Sequence, residues 1–399
     1  VKLPIPRDAY LLALSQAARV LGPGLAMIVL AAKWEPDQFG AFASHFALAS
    51  LIAFLPATGL SAFILDRGGR APDTLRATLR AADRLLAFTL AAPLIAGLIA
   101  FVLDGNRTAI PVTLYVAMTV AAFVELRISA FRAIRQETQV FPFILIANGV
   151  FILAALIPGL GPWAIGLIWA MARGFQLLAL QARARRALPA TAATPPPFAE
   201  ITPFIASQSA GVFYTHLDTL LVRAFLGEAA AGLYNAALRL LQLASMGAQT
   251  LSQWFQPRLA AHEADSPEWL RQRKLLRLCL AAIAAGGLAV FTLAGSQVIA
   301  LLYGPAYAEA APILFLAGFV LAFRCFVAGQ WMELTARQLE THRARDSWLL
   351  LAVFVALAWP LATEQGGSGV MMAHLLALGP VAAFSARSLA RAAPPPRQD

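Results

Sequence analysis

"THLDTLLVRAFLGEAAAGLYNAALRL", residues 215–240, reads as the end of one apolar helix, a short turn and the start of another. Yet it carries His216, Asp218, Arg223 and Arg239 among its leucines. Charge is most expensive in such surroundings, so its presence asks for a reason. The same greasy pattern extends both ways, with apolar runs recurring from residue 10 to residue 390. Of the 399 residues, 59% are hydrophobic and 13% charged, against about 25% charged in a soluble domain. That shortfall places the chain among membrane proteins.

A spanning helix needs about 20 predominantly apolar residues. Laid along the chain, that ruler marks about twelve spans. Six are expected at 10–32, 39–65, 84–103, 109–130, 140–158 and 162–182. Six more are expected at 201–226, 230–256, 275–302, 308–333, 347–363 and 369–388. Pro23, Pro56, Pro93 and Pro380 fall inside these spans, where neighbouring helices can satisfy the freed backbone groups. The first run is too long for the apolar part of a cleavable signal and contains Arg19, so it reads as a span.

The loops set the orientation. Basic residues gather in alternate loops: Lys2 and Arg7; Arg67, Arg70, Arg76 and Arg80; Arg132 and Arg135; Arg183, Arg185 and Arg186. The same set continues through Arg258, Arg271, Arg273 and Lys274, then Arg343 and Arg345, then Arg387, Arg391 and Arg397. The other loops add little beyond Lys33 and Arg107. This bias predicts a multi-pass membrane protein with both termini and the basic loops in the cytoplasm. It also accounts for the net charge of +10 without nucleic acid. The opposite loops ("KWEPDQ", "DGNRT", "PGLGP", "GEAAA", "YGPAYAE", "TEQGGS") are too short to hold a soluble domain.

"ARARRALPATAATPPPFAE" (182–200) falls near the middle of the chain and reads as a Pro-rich linker. The expected organisation is therefore an N-terminal six-helix lobe (1–187), a cytoplasmic linker (188–199) and a C-terminal six-helix lobe (200–399). The fold class is all-α integral membrane, two six-helix bundles around a central cavity. Residues 33–67 align loosely with 225–258: a short outer loop, Gly then an aromatic two residues on, an apolar span and a basic end. Two halves in one orientation suit a parallel repeat.

Arginines remain within or at the edge of spans: Arg19, Arg127, Arg173, Arg223, Arg239 and Arg324. At 1.5 Å per residue, Arg19, Arg173, Arg239 and Arg324 fall near mid-bilayer, Arg223 near the outer boundary and Arg127 near the inner one. Four central arginines cost on the order of 10–14 kcal/mol if nothing compensates them, so they do not face lipid. Each has a plain structural reading as partner of a carboxylate; Asp218 with Arg239, Glu125 with Arg127 and Arg324 with Glu333 are the available pairs. Deep carboxylates are nonetheless fewer than deep arginines, which predicts a positive cavity wanting an anion. A guanidinium stays charged and donates bidentately to phosphate oxygens. Asp218 reads either as an arginine partner or as a carboxylate that binds a proton or sodium ion. Gln242, Gln249 and Gln253 either line a hydrated path or bridge helices.

No Gly-rich nucleotide loop, catalytic triad or metal-ligand spacing appears, and Cys279 and Cys325 form no disulfide framework. The chain is expected not to be an enzyme and to need no cofactor.

Residues 216–260, "HLDTLLVRAFLGEAAAGLYNAALRLLQLASMGAQTLSQWFQPRLA", resemble the seventh and eighth spans of the polysaccharide flippases. These belong to the multidrug/oligosaccharidyl-lipid/polysaccharide exporter superfamily. The shared features are an Asp in the seventh span, the "LG…AGLYNAA.RL" turn and a Pro near the end of the eighth. "VIALLYGPAYAEAAPILFLAG" (298–318) is similar to that family's ninth-to-tenth junction, and residues 17–52 to its first hairpin. The resemblance implies a two-lobed, twelve-span transporter that moves undecaprenyl-diphosphate-linked oligosaccharide across the cytoplasmic membrane by alternating access. It implies Arg19, Arg223 and Arg239 as contacts for the lipid diphosphate and its sugar acids; Arg173 and Arg324 join them on depth alone. Asp218 and Glu125 are the candidates for coupling to H+ or Na+ or for gating. Implied partners are the lipid-linked substrate, the bilayer, and a polymerase and glycosyltransferases of the same pathway. A multidrug or small-metabolite antiporter of the same superfamily, and a non-transporting protein of glycan assembly, are the competing readings.

Overall fold

The computed structural model describes residues 7–103, 105–188, 197–260, 262–337 and 339–392. Most of the Pro-rich linker (189–196), with Lys2 and Arg397, lies outside the described residues, as does the Gln253 side chain. Among the described residues the secondary structure is helical and contains no strand. The helices are α1 (Arg7–Lys33), α2 (Pro36–Arg70), α3 (Leu75–Leu103), α4 (Gly105–Ala133), α5 (Phe141–Leu156) and α6 (Pro162–Ala187). They continue with α7 (Phe198–Ala260), α8 (Pro267–Leu293), α9 (Gly295–Tyr303), α10 (Ala311–Ala336) and α11 (Glu340–Ala392).

Two of these are each a pair of spans. α7 is broken at Gly227 (φ 86°, ψ −177°) and α11 at Gly366 (φ 60°, ψ −140°). Side chains rarely tolerate such backbone, and glycine adopts it freely. Both glycines lie in the short loops expected at "GEAAA" and "TEQGGS". With the breaks counted, the described helices supply twelve segments at the twelve expected places, and the nine-residue α9 extends the ninth. Among the described residues seven stretches, including α2, α4, α8 and α10, are long and apolar enough to cross a membrane. Large apolar side chains point outward: Phe88 is 81% exposed and Leu301 86%. In water that surface would aggregate, and in lipid it is the natural exterior.

The chain forms two compact units, Val1–Leu220 and Leu221–Asp399. In the first, α4 sits centrally and packs against α2, α3 and α6, while α1 lies against α5. Lys33, at the end of α1, donates to three carbonyls at the end of α5: Ala155 (2.9 Å), Leu156 (2.6 Å) and Ile157 (3.2 Å). These carbonyls have no intrahelical partner, so a lysine is the fitting cap. It fixes α1 beside α5 at the end remote from the basic loops. The first arm of α7 packs on α2: Phe63 meets Phe204 edge-on at 5.4 Å, and Arg67 pairs with Glu200 at 2.5 Å. A side chain at Gly59 would meet the Ile205 backbone at 2.3 Å, so the two helices touch only because no Cβ stands there.

In the second unit α10 is central, packed against α8 and α11. Its core includes Tyr234 and His374, both buried, joined Oη to Nε2 at 3.1 Å with the Phe354 ring stacked on the imidazole.

Candidate functional site

The first unit gathers a polar cluster within its apolar interior. Arg19 on α1 forms an ion pair with Glu125 on α4, both side chains largely but not fully covered (21% and 17% exposed). Arg173 on α6 donates to Asn148 Oδ1 on α5 at 2.9 Å and to Gln176 Oε1, one turn on, at 2.8 Å. Asn148 in turn donates to the Ala18 carbonyl at 2.8 Å, the residue before Arg19. The path Arg19–Ala18–Asn148–Arg173 thus ties α1, α5 and α6 together. Gly22 admits this contact, because a Cβ there would meet the Asn148 side chain at 2.4 Å.

Aromatic packing holds the arginine. Trp169 lies one turn before Arg173 and is stacked between Phe151 (4.3 Å) and Phe46 (5.5 Å). The Arg173 guanidinium carbon stands 5.5 Å from the Trp169 ring centre, in cation–π range. A packed indole leaves the guanidinium few rotamers, so the group is oriented before any ligand arrives.

The cluster is unbalanced in charge. Arg19 pairs with Glu125, Arg132 and Arg173 act on it electrostatically, and Glu137 acts on Arg132, so three guanidinium groups stand against two carboxylates. It is also unbalanced in hydrogen bonding. The buried Arg132 Nη2, Arg173 Nε and Gln176 Nε2 have no acceptor among the described residues. An unsatisfied buried donor costs about 1–3 kcal/mol. A site with spare donors and spare positive charge is chemically an anion receptor, and planar guanidinium forks favour phosphate or carboxylate oxygens.

The other expected residues are placed as follows. Asp218 is buried in the first unit, where its Oδ1 accepts from the Thr219 amide at 2.6 Å. Arg223 pairs with Glu228, just past the Gly227 break, at 2.5 Å and with both groups partly exposed. Arg239 donates to Gln242 Oε1 at 2.9 Å and acts electrostatically on Tyr303. Arg324 is half-buried on α10. Arg19, Glu125 and Arg173 are brought together; Arg223, Arg239 and Arg324 belong to the second unit.

Two of the pairings weighed from sequence give way to others. Glu125 takes Arg19 rather than Arg127, since residues two apart on a helix point in divergent directions. Arg127 instead forks onto Asp83 of α3, with 2.9 Å between Nη2 and Oδ2, and onto Gln181 of α6 at 2.8 and 2.9 Å. Glu333 takes Arg273 (2.9 Å) and Arg277 (2.5 Å) of α8 rather than Arg324. Nine residues along α10 amount to about 13.5 Å of rise, beyond a side-chain bridge.

Sequence reasoning missed Asn148, Gln176 and Arg132. Asn148 was visible as the lone polar residue of "FPFILIANGVF", and Gln176 as the residue three on from a deep arginine on one helix face.

A family model described as polysaccharide biosynthesis protein matches residues 29–312. No curated protein matches the chain. Among solved structures, an inward-facing multidrug resistance MATE family transporter of the MOP superfamily is similar with TM-score 0.73 at 13% identity, covering 95% of this chain and 98% of that one. The lipid II flippase MurJ, in an inward closed conformation, is similar with TM-score 0.73 at 11% identity, covering 96% of this chain and 87% of that one. A MOP superfamily transporter from Pyrococcus furiosus is similar with TM-score 0.64 at 14% identity over 96% of both chains. At these identities the likeness is one of fold. The expected all-α, two-bundle membrane architecture is that of these structures.

Proposed function

The chain belongs to the polysaccharide biosynthesis protein family, and from that premise we propose that it translocates undecaprenyl-diphosphate-linked oligosaccharide across the bacterial cytoplasmic membrane. The observation that carries this reading is the Arg19–Glu125–Arg173 cluster, in which two deep guanidinium groups share one carboxylate and neutral amides hold the second. A pyrophosphate diester bears one negative charge on each phosphate, and the cluster has a net positive charge even with Glu125 and Glu137 set against its three guanidinium groups. Its spare donors, Arg132 Nη2, Arg173 Nε and Gln176 Nε2, need acceptor oxygens, which phosphates supply.

The mechanism is alternating access with transport in place of bond chemistry. The substrate's diphosphate displaces Glu125 from Arg19, and the freed carboxylate becomes a group that takes up a proton or sodium ion. Asp218, buried and accepting from the Thr219 amide, is the second candidate for coupling. Both termini and the basic loops face the cytoplasm, where a glycosyltransferase builds the lipid-linked unit and from which it departs toward a polymerase.

The competing reading, an exporter of organic cations on the same fold, would favour carboxylates in the site. The surplus of guanidinium over carboxylate in the cluster opposes it. The test is reconstitution of the full-length protein in liposomes holding the lipid-linked oligosaccharide diphosphate on one leaflet. The expected result is gradient-dependent appearance on the other leaflet, lost on neutralising Arg173. Translocation of organic cations with none of the glycolipid would refute the reading.

A further inference from the structure

The arginines of the basic loops are explained above as topology signals, which concerns their number and not their arrangement. Three of them do more than lie in loops. "RATLRAADR" (76–84) opens α3, and "QARARR" (181–186) closes α6. The structure folds these two stretches around one cavity of about 200 Å³, lined by Arg76, Arg80, Asp83, Gln181 and Arg185, with Leu79 at its apolar wall.

The floor of the cavity is already satisfied. Arg127 reaches it from the buried side and grips both oxygens of Asp83, while its Nε and Nη2 share Gln181 Oε1. Its remaining Nη1 bond goes to the Phe123 carbonyl at 3.1 Å. The one carboxylate of the lining is therefore committed to an arginine that is itself 7% exposed. Arg76, Arg80 and Arg185 stand around that neutral floor. Among the described residues none of the three takes part in an ion pair or side-chain hydrogen bond.

That arrangement is unfavourable in isolation. Arg76 and Arg80 are four apart on one helix face, where like charges repel, and Arg185 brings a third positive group to the same opening. A purely topological function would be served as well by arginines pointing apart into solvent. Here the exposed Arg80 and Arg185 and the half-buried Arg76 rim one cavity with a polar floor and an apolar wall, the build of an open anion receptor.

We propose that this cavity, at the basic-loop end of the first unit between α3 and α6, is a binding site for a phosphate-bearing anion, separate from the Arg19–Arg173 cluster. Arg76, Arg80 and Arg185 supply the donors, the Asp83–Arg127–Gln181 floor keeps α3, α4 and α6 in register, and Leu79 packs against an apolar portion of the ligand. Two sources present that chemistry here: the headgroup of an anionic phospholipid at the membrane boundary and a free polyphosphate from solution. The inference does not depend on what the protein transports.

The test uses the full-length protein in phosphatidylcholine nanodiscs and follows its thermal unfolding. In one arm inorganic pyrophosphate is added. In the other a third of the lipid is replaced by phosphatidylglycerol. A ligand that binds the folded state raises the midpoint, and a rise of a few degrees is expected in at least one arm. In Arg80→Gln/Arg185→Gln that rise should fall by more than half. Arg76→Gln, tested alongside, should reduce it too and serves if the double variant does not fold. A rise with pyrophosphate identifies a free phosphate ligand, and a rise confined to the anionic discs identifies a lipid headgroup. Absence of any rise in the wild type, or an equal rise in wild type and variants, would overturn the proposal.

Discussion

In the first unit Arg19 and Arg173 converge from two helices on a single carboxylate, with Asn148 and Gln176 holding the second guanidinium in place. In the second unit two arginines again meet one acid, but it is the acid that is buried: the Glu333 carboxylate is 2% exposed and is shared by Arg273 and Arg277, themselves 28% and 50% exposed. In one the guanidinium groups lie within the helix bundle, and neutral amides hold the second of them. The other has a buried anion whose partners sit on the surface and neutralise it. Arginine at the membrane therefore serves two ends in this chain, and the depth of the guanidinium groups and the partners that hold them distinguish the two.

The largest effect is expected where the first arrangement is dismantled. Arg19→Gln with Arg173→Gln removes two of the three positive groups from the cluster, and each charge-assisted bond to phosphate is worth about 1.5–3 kcal/mol. Surface glycan carried by cells that depend on this protein should fall at least a hundredfold while the protein still inserts. Glycan staining scaled to membrane-inserted protein checks this. Normal output would dissolve the contrast between the two arrangements.

The second arrangement should fail in stability and leave transport alone. Arg273→Gln with Arg277→Gln strands the Glu333 carboxylate in the interior, at a cost of about 3–5 kcal/mol. Thermal unfolding in detergent should show the loss, with transport per folded molecule unchanged.

How much of this was legible in the sequence follows from what each residue's pattern can carry. The spans were readable because hydropathy and length are local properties, and the breaks at Gly227 and Gly366 fall in loops already marked by Gly, Ser and charge. Depth along each helix was readable too, which is why Arg19 and Arg173 were singled out before any contact was known. Partner choice was not. Glu125 lies nearer to Arg127 in sequence than to Arg19, and only the packing of α1 beside α5 and α4 beside α6 shows which guanidinium meets which acid. Asn148 was passed over for the same reason: an amide in an apolar span has no meaning until its neighbours are known.

A smaller effect sharpens the packing that supports the first cluster. Gly59→Ala would force a methyl group against the Ile205 backbone at 2.3 Å, and overpacking of this kind costs about 1–3 kcal/mol. A lowered unfolding midpoint with retained membrane insertion is the expected result.

The smallest effect belongs to Arg223→Gln. Its pair with Glu228 is partly exposed on both sides, and such pairs contribute about 0–1 kcal/mol. Stability should hardly move. A large loss of transport would instead give Arg223 a place beside Arg173 in contacting substrate.

The most direct measurement is the affinity of the purified protein for undecaprenyl diphosphate, by native mass spectrometry, in the wild type, in Arg173→Gln and in Arg277→Gln. Binding at least tenfold weaker in Arg173→Gln, with Arg277→Gln matching the wild type, is the predicted result. Equal binding by all three would contradict the assignment of the spare guanidinium charge to the lipid diphosphate.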